Sequence, residues 1–180
     1  WSGWRAGALV VHSDGDEQLL EPDATVLALG GASWPGTGSD GAWVDVVERT
    51  GVDVAPLLPA NSGFVVEWSD EMVQRHAGTP VNNVAVRVGG REGAGSAARG
   101  ELMITDTGLE GGALYAVSSA LRDAVEHDGA ATLYVDLLPD LDRAAVLARV
   151  SRRRAKDSTS KVLSRALGLD PVKAALVRDA

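Results

Sequence analysis

The stretch that most constrains this chain is residues 24–43, ATVLALGGASWPGTGSDGAW. Of its first six residues only Thr25 is polar, too continuous a run for a strand with one face in water. Such runs belong to strands buried on both faces, as in parallel sheets. The run stops at Gly30-Gly31, where backbone can turn with φ > 0 or pass close to a ligand. A second cluster follows, Gly36-Thr37-Gly38-Ser39-Asp40-Gly41, and then a helical pattern with Trp43, Val46 and Val47 on one face. Strand, glycine-rich turn and helix N-terminus, in this order, are how α/β proteins approach nucleotide phosphates.

The second cluster fits G-x-G-x-x-G literally, and Asp53 stands near the spacing of a ribose-binding acid. Three readings stay open: an independent NAD site, a turn that only caps a helix, and close approach to another nucleotide cofactor. Against the first, Gly36 lies six residues beyond Gly30, and Asp53 leads into a proline-rich crossing rather than a second βα unit. Gly31-Ala32-Ser33-Trp34-Pro35 approaches a nucleophile elbow but ends in proline where glycine is required. His12, His76 and His127 stand near no obvious partner in sequence, which disfavours Ser-His-Asp hydrolysis. No His and carboxylate spacing points to a metal. The chain has no cysteine, which excludes disulfides and fits a cytoplasmic protein. No apolar run approaches the length of a membrane span.

Along the chain, residues 6–12 and 17–21 flank Asp14-Gly15, a hairpin turn signal. A helix is expected from Ser39 or Asp40 to just before Gly51, and residues 52–63, with two prolines inside VDVAPLLPANSG, mark a boundary. Beyond it the grammar changes to short alternating strands near 64–68, 84–88, 101–105 and 132–137, with a loop tip at 89–99. One long helix is expected over 112–127, where Leu114, Val117, Leu121 and Ala124 share a stripe. Residues 105–112 read as a strand-to-helix loop that either holds an anion on backbone N–H groups or only caps the helix. Helices are expected over 141–154, 158–167 and after Asp170-Pro171. The fold class is therefore α+β: a strand-turn-helix portion, a small antiparallel β-barrel with one long helix, and a C-terminal helical subdomain.

Charge divides unevenly. Residues 1–142 carry 7 basic and 22 acidic side chains, residues 143–180 carry 10 and 3, and the whole chain has a net charge of −8. A basic tail can serve as a nucleic-acid arm or simply attract an acidic body. The absence of stacking aromatics from the basic segment makes nucleic acid the weaker reading. Arg152-Arg153-Arg154 with Lys156 reads as a solvated helix face.

ALGGASWPGTGSDGAW, PLLPANSGF, RGELMITDTGLEGGALY and ALGLDPVKAAL, taken in order, resemble the BaiN-like or aminoacetone-oxidase-like NAD(P)/FAD-dependent oxidoreductases. The resemblance covers nearly the whole chain. It implies FAD-domain material over 1–60, a barrel insert over 61–139 and a helical subdomain over 140–180. It implies FAD as cofactor, NAD(P)H as a candidate electron donor, and a small-molecule substrate, with amines among the candidates. By the same resemblance Ala28, Leu29, Gly30 and Gly31 line FAD, with Ser33 and Thr37 as second contacts. Leu29 stands where the family usually has threonine, which leaves backbone rather than hydroxyl contacts there. Glu110 and Gly112 also depart from the family's Gly-Leu-Ser-Gly-Pro. The family's N-terminal glycine fingerprint and C-terminal flavin-closing segment are not among these residues. The chain is thus expected to be a piece of a longer bacterial protein, inactive alone and completed by the missing parts of the FAD domain. The competing class is a non-catalytic binding or interaction module with a basic helical tail.

Overall fold

The computed structural model describes residues 1–89 and 95–179, so positions 90–94 of the expected loop tip lie outside the described residues. The chain divides into two compact units, Trp1–Pro59 and Ala60–Ala180.

The first unit opens with three antiparallel strands, β1 (Gly3–Arg5), β2 (Ala8–Ser13) and β3 (Asp16–Leu20), paired in that order. Asp14 (φ 53°) and Gly15 (φ 91°) form the β2–β3 turn, both left-handed as a type I′ hairpin requires. The Arg5 guanidinium forks onto the Glu17 carboxylate at 2.5 and 2.9 Å, and that hydrogen bonding holds Glu17 below the usual carboxylate range.

Residues 24–29, expected as a buried strand, join no ladder, and Val26 is 90% exposed. The apolar run registers a demand for cover on two faces, but the sheet of this unit stops at β3 and pairs nothing with it. The expected helix forms later and shorter, as α1 (Trp43–Glu48). Neither Ser39 nor Asp40 is its N-cap. Ala42 takes that position without a side-chain cap, and the Asp40 carboxylate accepts the Ala42 N–H at 3.0 Å. Gly51 (φ 85°) follows the helix and donates its N–H to the Glu48 carbonyl at 2.9 Å.

The second unit contains β4 (Phe64–Val65), α2 (Asp70–His76), β5 (Pro80–Val88), β6 (Ala97–Ile104), β7 (Gly108–Glu110), α3 (Gly112–Tyr115), α4 (Ser118–Asp128) and β8 (Leu133–Asp136). Its tail holds α5 (Arg143–Ser151), α6 (Thr159–Lys161), a π-type turn (Val162–Ala166) and α7 (Pro171–Asp179). The strands form one antiparallel sheet in the order β4-β7-β6-β5-β8, curled into a half-barrel. The class is α+β, as the sequence indicates. Among the described residues the edge strands β4 and β8 do not pair with each other.

Alternation places Val81, Val84, Val86 and Val88 of β5 inside, facing Leu102 and Ile104 of β6, both 0% exposed. The β5–β6 register shifts between Val81 and Val84, where Asn83 takes φ 52°. That extra residue lets both valines face the core across the irregularity. Leu114, Val117 and Leu121 cover the sheet from one side, and Val172 and Ala175 of α7 complete the cluster.

Several expectations need correction. The helix over 112–127 is two helices, broken at Val117 (φ −114°, ψ 6°), which stays buried between them. The loop over 105–112 does not cap α3 through Thr107 or Glu110: Gly111 is the N-cap, and no side chain caps the helix. The loop folds as the β6–β7 hairpin, with the Thr105 N–H donating to the Gly108 carbonyl at 2.9 Å. Arg152-Arg153-Arg154 lie in the turn after α5, not on a helix face. The signal for α2 was present but unread: the Ser69 Oγ accepts the Met72 N–H at 3.2 Å, and Met72 alone is buried. The Ser69 hydroxyl also donates to the Asp179 carboxylate, tying the start of α2 to the end of α7. Asp170 caps α7 as expected, accepting the Lys173 N–H at 2.8 Å. Among the described residues no helix is long and apolar enough to cross a membrane.

Candidate functional site: a glycine loop closed on itself

Residues 30–41 of the first unit form a loop pinned at three levels. At its base the Gly41 N–H donates to the Gly31 carbonyl at 3.1 Å, and the Trp43 indole N–H to the Gly30 carbonyl at 3.1 Å. Higher up, Trp34 and Ser39 exchange N–H···O bonds of 3.1 Å each way. At the tip Pro35–Thr37 makes one 3-10 turn, closed by Gly38 (φ 85°), whose N–H reaches the Pro35 carbonyl at 3.0 Å. Proline sets the φ of that turn and glycine accepts the left-handed exit, so the sequence dictates the shape locally.

The glycines differ in what they do. Gly30 takes φ 72°, and a Cβ there would lie 3.1 Å from the Ser39 hydroxyl oxygen. Gly41 takes φ 73°, and its Cβ would press the Ala32 methyl at 3.0 Å. Gly31 has nothing within 4 Å of a would-be Cβ. Gly30 and Gly41 therefore shape the loop, whereas Gly31 leaves open backbone.

The six residues singled out from the sequence fall on this one run. Ala28 is exposed and Leu29 half-buried, both outside any ladder. Ser33 is exposed, and the Thr37 hydroxyl donates to the Trp34 carbonyl at 3.1 Å, which binds it to the loop itself. The G-x-G-x-x-G match lies within the self-closed loop rather than at a strand-to-helix junction, and Asp53 is exposed in coil. Sequence reading missed Trp43 and Ser39. The helical pattern puts Trp43 on an apolar face, yet its single indole donor fixes the Gly30 carbonyl.

Among the described residues no group of His, Asp and Glu could hold a metal. His12 lies 3.0 Å from the Ser2 hydroxyl and opposite Glu17 in the β2–β3 ladder, and the exposed His127 stands 3.8 Å from Asp128.

A glycine-loop segment followed by a curled half-barrel with a helical tail defines a barrel-and-helix protein. The chain belongs to the HI0933-like family: residues 58–180 match the family described as the HI0933-like protein barrel and H2TH domain. That family is one of FAD-dependent oxidoreductase-like proteins. No curated protein matches the chain.

The loop suits such a cofactor in a limited way. A flat ring edge or phosphate approaches backbone best where no side chain intrudes, and Gly31 provides that opening. Residues 28–31 also leave their N–H groups outside any ladder.

Proposed function

We propose that this chain is part of an FAD-dependent oxidoreductase of the BaiN-like or aminoacetone-oxidase-like kind, acting on a small substrate with amines among the candidates. The observation that carries the reading is the apolar run 24–29, unpaired and exposed, ending at Gly30 with φ 72° and the open backbone of Gly31. An apolar run of this length is stable in water only when covered. In this reading parallel strands of the complete FAD domain cover it, and Ala28, Leu29, Gly30 and Gly31 then face the cofactor. Ser33 can donate a hydroxyl hydrogen, while Thr37 contributes through its oxygen because its proton is engaged. Trp43 and Ser39 hold the turn in shape beneath. Bound FAD supplies the two-electron redox chemistry, and the protein supplies orientation and electrostatics. The G-x-G-x-x-G spacing closes the loop itself, so NAD(P)H stays outside the proposal.

The test uses the full-length protein. It should purify with flavin absorbance, and Gly31→Val should lower flavin occupancy at least about tenfold while leaving the thermal midpoint of the flavin-free protein unchanged, because nothing stands near that Cβ. A colourless protein that takes up no added FAD, or a Gly31→Val variant of normal flavin content, overturns the reading. The 180-residue chain by itself is expected to bind FAD weakly or not at all.

A further inference from the structure

In the helical tail, Arg152, Arg153, Arg154, Asp157, Lys161 and Arg165 line one cavity of about 190 Å³. Five of these six side chains are cations. Asp157, 12% exposed, is the carboxylate among them. It accepts the Arg154 backbone N–H at 2.9 Å and lies 3.0 Å from Lys161 Nζ and 3.5 Å from Arg154 Nε. These contacts, the backbone hydrogen bond first, lower its pKa to about 2, so it stays ionised and holds Lys161 and Arg154 in place.

That leaves Arg152, Arg153 and Arg165, which pair with no carboxylate among the described residues. The other acids of the tail are engaged elsewhere: Asp170 caps α7 and Asp179 holds the Ser69 hydroxyl. Like charges gathered in one concavity repel until a counter-ion completes them. Guanidinium forks match planar or tetrahedral oxyanions in a bidentate way, and several converging forks favour a multiply charged one. The cavity is smaller than the ~300–1,000 Å³ that enclose a whole drug-sized ligand, which fits a charged group rather than an entire nucleotide.

We propose that this cavity binds a phosphate group, free or carried on a small metabolite, with Arg152, Arg153 and Arg165 as its forks beside the Asp157 carboxylate that holds Arg154 and Lys161. The site is independent of the FAD reading.

Calorimetric titration of the 180-residue chain with pyrophosphate, and separately with ribose 5-phosphate, tests it. Saturable binding of either anion is expected, the tighter of the two telling a free anion from a phosphate monoester. The double variant Arg153→Gln/Arg165→Gln should weaken binding at least about tenfold, and Arg153→Lys/Arg165→Lys should weaken it less but measurably, since charge stays and the fork is lost. Arg75→Gln, which breaks only the surface pair with Glu71, should change nothing. Circular dichroism confirms that each variant is folded. The proposal is overturned by lack of saturation with both anions, by citrate binding as tightly as pyrophosphate, or by an equal loss in Arg75→Gln. It is also overturned by a single-stranded 12-nucleotide DNA binding at least about tenfold tighter through the same arginines, which would assign the surface to a nucleic-acid strand.

Discussion

Lys173 Nζ donates to the main-chain carbonyl of Asn83, ninety positions earlier, at 3.1 Å. Asn83 is the residue at φ 52° where the β5 register shifts, so a helix of the tail fastens the irregular point of the sheet. The same ammonium reaches the Leu137 carbonyl at 2.9 Å, and Lys173 is 8% exposed. Lys173→Met would fill much of the space but leave both carbonyls without that donor. A loss of about 2–3 kcal/mol in urea unfolding is expected. A neutral result would mean the carbonyls find other donors.

Gly108→Ala should be among the most disruptive single changes in the second unit. A Cβ at Gly108 would fall 1.9 Å from the Phe64 carbonyl oxygen, a backbone atom that cannot step aside without parting β4 from β7. We expect a loss of about 3 kcal/mol or more, read as a lowered thermal midpoint. The indole bond from Trp68 to the Gly108 carbonyl should go with it, red-shifting tryptophan emission.

Gly30 and Gly31 should separate cleanly in stability. Gly30→Ala meets both a left-handed φ and the Ser39 hydroxyl, and should destabilise the first unit by about 1–2 kcal/mol. Gly31→Ala should fall within about 0.5 kcal/mol of the parent protein. Equal effects would mean that the loop does not rest on Gly30 as described.

Asp157 should shape the acid limb of stability. Its folded-state pKa, about 2, lies below its unfolded value near ~4. A carboxylate depressed in this way stabilises the fold above the unfolded value and loses that contribution as pH falls through the folded one. Parent and Asp157→Asn should therefore differ most at neutral pH and converge as pH drops from about 4 towards 2. Urea midpoints measured across that range check it. Curves that stay parallel would exclude Asp157 as the titrating group.

What was legible in the sequence is what local chemistry decides. Asp14-Gly15 announced its hairpin because few residue pairs accept two left-handed conformations in a row. Asp170-Pro171 announced α7 because cap and first turn are both written in the sequence. The alternation of Phe64, Val66 and Trp68 towards the core was correct, yet only Phe64–Val65 forms ladder. Periodicity tells which face is covered, not how many hydrogen bonds the neighbour returns. Val117 hid the break between α3 and α4 because it stays on the buried stripe while its backbone leaves the helix. At the glycine loop the positions were visible from composition, but their division of labour was not. Only neighbours from elsewhere in the loop, Ser39 against Gly30 and Ala32 against Gly41, distinguish a glycine that shapes from one that leaves room.

The run over 24–29 has a practical side. A line of apolar side chains with unengaged N–H and C=O groups, headed by Val26 at 90% exposure, is a template on which further copies can stack edge to edge. Concentrated solutions of the 180-residue chain should therefore self-associate through this run and not through its charged tail. One lysine placed at Val26 should raise solubility more than any change of buffer salt.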